Sequence, residues 1–448
     1  MQAATKRVRI GVFGHYGNQN LGDESIIEAV IRNLRQRLPD ADIVCLSLDP
    51  EDSRSRHEVD AFPIRYRPDF FTPRPVSASP PSPSGAPSPS AASAPRAWKA
   101  RLKAVPILGH GLKAAARALD FKDTLASEYR FLAQARDYLR GMDLLLVTGS
   151  NQFLDNFGGP WGFPYTLLKW TLLAKKNGTR VAFISVGAGP LSHPLSFFML
   201  KHTLRRADFV SFRDQGSLDL VRSRTHQAGR VYPDLAHSLG YDGAGTRIAK
   251  PDRPLSVALN PMPVYDSRYW HEGDEDRYQA YVAKVTDLCR EVLSDGARLT
   301  LFSTQRKDEN VIDDILSQLG AEDAVATGHL SIQRNRSVNE LMQHLGAADL
   351  VVATRFHATV LPLQLGVPVL GICYYRKAAE LLNDVGLGDY QVAIDDFDAP
   401  TLIAKYRDLA RRVRQGDIQL DGEMARYRDA LAEQYQAIVQ LATGGEAH

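Results

Sequence analysis

The sequence is short of cysteine, of long apolar runs and of net charge, and each shortage argues against a class of protein. Its three cysteines, Cys45, Cys289 and Cys373, lie far apart with no C-x-x-C pair. That argues against a disulfide framework and a cysteine zinc site and fits a reducing compartment. No stretch approaches the ~18 to 20 apolar residues of a membrane-spanning helix. The opening MQAATKRVRIGVFGHYGN is too poor in apolar residues for a secretory leader and runs directly into a strand-like segment. Lys and Arg number 54 against 52 Asp and Glu, a formal net charge of +2. A nucleic-acid partner is therefore not expected, because such surfaces rest on a large cationic excess. These features predict a cytoplasmic protein.

What remains is ordinary globular material: 448 residues, 44% hydrophobic and 24% charged, enough for roughly two to three domains. One segment breaks the pattern. Thr72 to Ala97 holds 8 Pro, 7 Ser and 6 Ala in 26 residues, too little apolar surface to offset chain entropy, and reads as a disordered surface insertion. Next, residues 96–119 carry Trp98, six basic residues and no acid. Such a segment suits an anionic membrane surface, which would place the protein at the inner face of the membrane; the plainer alternative is a solvated linker helix. Pro106 and the Gly109-His110-Gly111 run argue against one long helix there.

Elsewhere short apolar runs alternate with amphipathic stretches. Arg7 to Phe13, Ala41 to Leu48, Asp143 to Val147, Val181 to Val186 and Phe209 to Phe212 read as buried strands. Ser25 to Leu38, Tyr165 to Lys176 and Leu195 to Arg206 read as helices between them. The pattern restarts after a Gly/Asp/Pro-containing connection, with strands at Ser256 to Leu259, Leu299 to Phe302, Leu350 to Ala353 and Val367 to Ile372. Continuous apolar strands separated by helices indicate parallel sheets covered on both faces. The expected fold is α/β, with two facing Rossmann-like lobes, residues 1–241 and 242–396, and C-terminal helices over 397–448. A ligand cleft is expected between the lobes, at the carboxyl ends of the strands.

Five strand-to-helix turns carry candidate chemistry. The first holds Gly14, His15, Asn18, Asn20 and Asp23. It is neither a dinucleotide fingerprint nor a phosphate-binding P-loop, and its amides and carboxylate suit sugar hydroxyls. The plainer alternative is an Asx turn in which Asp23 caps the helix. The second and third turns place Gly149, Gly187 and Gly189 at strand ends. The fourth sets Arg213 just past a strand, where a guanidinium grips a carboxylate or phosphate in bidentate fashion; the alternative is a surface pair with Asp214. The fifth, Thr354-Arg355-Phe356-His357, puts a fixed cation and a titratable ring at a helix start, with Tyr374 and Lys377 following the next strand. Arg355 offers a fixed charge and His357 a group that titrates in the physiological range.

GNQNLGDESI, SVGAGP, SFRDQGS, the Pro233-Asp234 pair and RFHATVLPLQLGVPVLGICYYRK, in this order, resemble the polysaccharide pyruvyl transferase family from about Arg9 to about Gly388. One departure is Thr148-Gly149-Ser150, where the family often has a run of glycines. The resemblance implies an enzyme built like the two-lobed B-type glycosyltransferases. It implies transfer of a pyruvyl group from phosphoenolpyruvate to a pair of sugar hydroxyls, giving a ketal in exopolysaccharide synthesis. Arg355 and His357 fall on the family's Arg-x-His donor site and Arg213 on its S-x-R-D motif, which makes these three the catalytic candidates. The remaining turn residues named above, with Phe356, are the substrate-binding candidates. The donor is then a substrate and the scheme requires neither metal nor cofactor; the acceptor is a saccharide, free or lipid-linked. A nucleotide-sugar glycosyltransferase and a non-catalytic saccharide- or anion-binding protein are the alternatives.

Overall fold

The computed structural model describes residues 7–66, 126–240, 253–270, 273–320, 325–326 and 328–445. The insertion at 72–97, the basic segment 96–119 and the expected boundary at 241–242 lie outside the described residues. By contact density the chain divides into residues 1–62 with 141–448, and residues 63–140. In the smaller unit the described part includes a helix over 126–138.

The larger unit contains two separate sheets. The first uses β1 (Arg9–Phe13), β2 (Asp42–Ser47), β3 (Asp60–Pro63), β4 (Leu144–Thr148), β5 (Asn151–Phe153), β6 (Arg180–Ala188), β7 (Phe209–Phe212) and β8 (Arg230–Val231). Its order is β3-β2-β1-β4-β6-β7-β8, with β5 against β6. The second uses β9 (Ser256–Asn260), β10 (Arg298–Ser303), β11 (Leu330–Arg334), β12 (Leu350–Ala353), β13 (Val369–Cys373) and β14 (Gln391–Ala393), in the order β11-β10-β9-β12-β13-β14. The central pairings, β1 with β2 and β4, β9 with β10 and β12, are parallel. The apolar runs explain this. Leu144–Thr148 is buried at all five positions, as a strand covered on both faces must be. The α/β class and the two separate sheets read from the sequence are what the chain adopts.

Helix boundaries shift where polar caps intervene. The first helix runs Leu21–Arg37, four residues earlier than its apolar periodicity suggests. Asn20 is the cap, its side-chain oxygen accepting the Gly22 N–H at 3.1 Å. Asp23 therefore lies inside the first turn and does not cap the helix. There, with Glu24, it complements the positive end of the helix dipole, and Arg35 and Arg37 complement the other end.

The tail forms two helices, Ala399–Gln415 and Asp421–Ala442. The first braces the second half, where Arg407 and Arg414 reach Glu291 and Asp295 at 2.6 and 2.8 Å. The second returns to the first sheet. The buried Gln434 amide donates to Ser185 Oγ (2.9 Å) and accepts from Ser211 Oγ (2.8 Å). The two halves also touch directly, the Leu21 N–H donating to the Thr304 carbonyl at 3.1 Å.

Candidate functional site

Both sheets reverse strand order at their centres, β1 beside β4 and β9 beside β12. Loops leaving such a point diverge and open a crevice at the carboxyl ends of the strands. The first-half loops there are 14–20 and 149–150; the second-half loops are 261–270 and 354–355.

Asp234 is the hub of the side-chain cluster in this crevice. It is buried and accepts from Arg213 Nη1 at 3.2 Å, while His357 Nε2 lies 3.7 Å from the same oxygen. Its other oxygen accepts the Ala236 N–H at 3.0 Å. Burial alone would raise its pKa; the neighbouring His357, then Arg213, outweigh that electrostatically and hold the carboxyl well below its ordinary range. Arg213 is itself buried and also reaches the Gly149 carbonyl, at 3.4 Å. It is thus buried rather than a surface residue: its Nε lies 3.8 Å from Asp214 Oδ2, while the other Asp214 oxygen caps the helix Gln215–Thr225. Arg213 Nε and His357 Nε2 are buried polar atoms without a hydrogen-bond partner, each with a carboxylate oxygen at 3.7 to 3.8 Å.

Glycines make room for these groups. A Cβ on Gly22 would lie 2.3 Å from His357 Nδ1, and one on Gly187 2.3 Å from Arg213 Nη2. The first-half helix thus abuts the second-half histidine. The Phe356 ring lies 5.2 Å from the Arg213 guanidinium and 4.3 Å from Lys377 Nζ. Burial, then the Arg213 charge, lowers the Lys377 pKa to about 7. A cavity of about 610 Å³ opens here, lined among others by Arg213, Asp234, Phe356, Lys377 and Tyr427. His237 also lines it; burial above all pushes its pKa down to about 4.

Arg355 belongs to a neighbouring cluster. Its Nε donates to the buried Asp308 carboxylate at 2.7 Å. Asp308 is fixed in turn by the Thr304 and Gln305 N–H groups, at 3.0 and 3.1 Å. Around it stand Tyr269, Trp270, Tyr374 and Tyr375, in ring contact at 4.5 to 6.2 Å. Lys307 Nζ lies 3.8 Å from the Tyr269 ring centre. The helices Phe356–Gln364 and Arg376–Asp384 both begin here without a side-chain cap, so their first N–H groups and positive dipole ends favour an anion.

Of the residues singled out in the sequence, Arg213, Phe356, His357, Lys377, Gly149 and Gly187 come together around Asp234. Arg355 and Tyr374 join the adjoining aromatic cluster. The first loop differs. Asn18 and Asn20 amides donate to Asp23 at 3.4 and 2.8 Å, and Asn18 Oδ1 accepts the Asn20 N–H, so much of its polarity binds the loop to itself. Gly14 packs under the Tyr16 ring, and the His15 ring meets Phe163 at 5.3 Å. Gly189, with φ near +100°, turns the chain after β6. Sequence reasoning missed Gly22, Asp308, Tyr269, Trp270 and Lys307, and assigned no role to Asp234. Among the described residues no group of three or more His, Cys, Asp or Glu is placed to hold a metal, and no helix is long and apolar enough to cross a membrane.

Known proteins share this architecture. A Listeria monocytogenes protein described as a UDP-N-acetylglucosamine 2-epimerase superposes with a TM-score of 0.57 at 11% identity, over 97% of this chain and 96% of that one. The Neisseria meningitidis UDP-GlcNAc 2-epimerase bound to UDP-GlcNAc gives 0.53 at 10% identity, over 96% and 99%. These likenesses concern the fold. In sequence, the chain is 21% identical to the amylovoran biosynthesis protein AmsJ of Erwinia amylovora, over 89% of this chain and 91% of that protein. The sequence pattern of the polysaccharide pyruvyl transferases matches residues 20–375, a span that holds Arg213, Asp234, Asp308, Arg355 and His357, and the chain belongs to the polysaccharide pyruvyl transferase family.

Proposed function

We propose that the protein transfers a pyruvyl group from phosphoenolpyruvate to two hydroxyls of a saccharide, releasing phosphate and leaving a ketal. One observation carries the donor assignment. Arg213 and Lys377 line the cavity, and the uncapped N-termini of the helices Phe356–Gln364 and Arg376–Asp384 lie at the carboxyl ends of the strands with Arg355 just before the first of them, a set of cations and helix ends suited to a small molecule bearing a phosphate and a carboxylate.

His357 is the general acid. Its proton goes to C3 of the enol, which becomes a methyl group, and C2 becomes electrophilic. A sugar hydroxyl attacks C2, the C2–O bond to phosphate breaks, and a second hydroxyl closes the ketal. Of the two hydroxyl protons released, one restores His357 and the other leaves with phosphate. Asp234 faces the His357 ring from 3.7 Å and orients it, and Arg213 offsets the anionic groups. His237 stays neutral near pH 7 and is a poor donor by comparison. The rings of Tyr269, Trp270, Tyr374 and Tyr375 provide flat apolar faces for the C–H surfaces of the acceptor sugar.

The test is phosphate release from phosphoenolpyruvate in the presence of candidate saccharides, with the ketal methyl group followed by NMR. Phosphate release that requires acceptor supports the reading. Release of a nucleoside diphosphate from a nucleotide sugar, with no reaction of phosphoenolpyruvate, overturns it.

A further inference from the structure

A face of the first half apart from the Asp234 cluster has an unusual composition. Between Asp155 and Asp208 lie 52 residues without an Asp or Glu, against the roughly six that the chain's average acid content would place there, and seven of them are Lys or Arg. This segment also contains three of the most exposed large apolar side chains of the protein: Phe157 at 65%, Trp161 at 67% and Phe198 at 56%.

These residues are arranged by the helices that carry them. On Phe163–Lys176 the outward positions Tyr165, Leu168 and Leu172 follow Trp161 at helical spacing and end in the exposed Lys176. Leu172 is 44% exposed, and the Trp161 ring contacts Tyr165 at 5.7 Å. On Pro194–Leu204 the corresponding stripe is Leu195, Phe198 and His202, followed by the exposed Arg205 and Arg206. The two helices pack on each other, and the short turn carrying Trp161 touches both. The adjoining helix Gln215–Thr225 adds Arg224, exposed and 5.3 Å from the Phe197 ring. The result is a patch of aromatic and aliphatic tips bordered by cations.

Exposed apolar tips alone do not name a partner. The missing acids do. A protein partner of mixed charge would be met as well by a face of both signs, whereas a surface that is uniformly anionic repels every carboxylate. Large aromatic rings with a basic rim match a lipid headgroup layer, where the rings enter the interface and the cations stay in the aqueous layer. We propose that the face formed by Phe157, Trp161, Leu172 and Phe198, with Lys176, Arg205, Arg206 and Arg224, rests on an anionic lipid membrane. It adjoins the cleft: Trp161 is two residues from Phe163, whose ring meets His15 of the first loop. A membrane docked here brings a lipid-borne acceptor to the first loop. The docking itself does not depend on the donor being phosphoenolpyruvate.

The experiment is co-sedimentation of the full chain with vesicles of phosphatidylcholine alone and of phosphatidylcholine with one quarter phosphatidylglycerol. The wild-type chain should bind the anionic vesicles and be released by salt. Trp161→Ala with Phe198→Ala should lower partitioning about ten-fold, and each of Lys176→Ala, Arg205→Ala and Arg206→Ala about five-fold. Thermal melts check that the variants fold. Binding unchanged in the folded double variant would assign the lipid contact elsewhere on the chain and overturn the proposal. Failure of the wild-type chain to bind anionic vesicles overturns it too. So does a dimer in sedimentation velocity that the double variant dissociates, because the face then serves a second copy.

Discussion

Gly22→Ala isolates the part of the site that the two halves build together. Gly22 is the second residue of its helix, where Ala is favoured over Gly by at most about 1 kcal/mol, so on propensity alone the substitution does not destabilise the protein. Here the added methyl would lie 2.3 Å from His357 Nδ1 and 2.7 and 2.8 Å from the ring Cγ and Cβ, where ordinary contact begins at 3.4 Å. The imidazole must retreat by about 1 Å, and the way it faces is occupied by Asp234, 3.7 Å from Nε2. Misplacing a catalytic group by about 1 Å costs on the order of 10²-fold in rate. The expected result is a loss of turnover near that size, donor affinity nearly intact because Arg355 and Lys377 are untouched, and a melting temperature within a few degrees of wild type. Steady-state kinetics and a thermal melt measure all three. A second comparison removes ambiguity: adding Gly22→Ala to His357→Ala should cost little more, since both act through one ring. Turnover within two-fold of wild type in Gly22→Ala would refute the view that this contact positions His357.

Three further outcomes follow from the same geometry. His357→Ala should lower turnover about 10²- to 10⁴-fold and suppress deuterium uptake into the new methyl group in heavy water, while a merely structural histidine would cost stability with normal turnover per folded molecule. Lys377, held to a pKa of about 7 by burial and Arg213, should lose its charge as pH rises through that value, so calorimetric donor affinity should fall between pH 6.5 and 8.5 in the wild type and stay flatter in Lys377→Arg. Asp234 is depressed in the fold, so the stability it contributes is present above its ordinary carboxyl range, near pH 4, and is lost as pH falls below that; Asp234→Asn should remove this part of the acid sensitivity and leave Arg213 buried without its partner, at a cost of about 3–5 kcal/mol in a denaturant melt at pH 7.

The strands were readable because each is a short buried apolar run, and Leu144–Thr148 or Leu350–Ala353 can satisfy that pattern in few other ways. The candidate turn Arg355–His357 was readable because it follows such a strand at once. The carboxylates that orient it were not. Asp308 lies 47 positions from Arg355 and Asp234 lies 123 from His357, and nothing local distinguishes them from the helix-capping acids they also resemble. Asp308 carries one faint local mark, its place at the third position of a helix directly after β10, paired in a capping box with Gln305. The first loop shows a further use of polar side chains. Its amides and carboxylate looked like ligand groups, but short polar side chains two to five residues apart also satisfy one another, and Asn18, Asn20 and Asp23 do so.

The amphipathic pattern of the last helix likewise announces a buried face without saying what it covers. That it returns to the first sheet matters for the chemistry. His357 is carried by the second half, but both groups that fix its ring, Asp234 and the Gly22 turn, belong to the first. A small rotation between the halves would change the His357–Asp234 separation directly and leave Arg355 with Asp308, since that pair lies within one half. In the proposed scheme donor affinity and proton transfer therefore respond to different parts of the structure. The Gln434 contacts to Ser185 and Ser211 anchor a helix that begins just past the second half onto the strands that lead to Gly187 and Arg213. That helix limits how far the halves can turn, and so keeps the acid and the anion-binding groups in register.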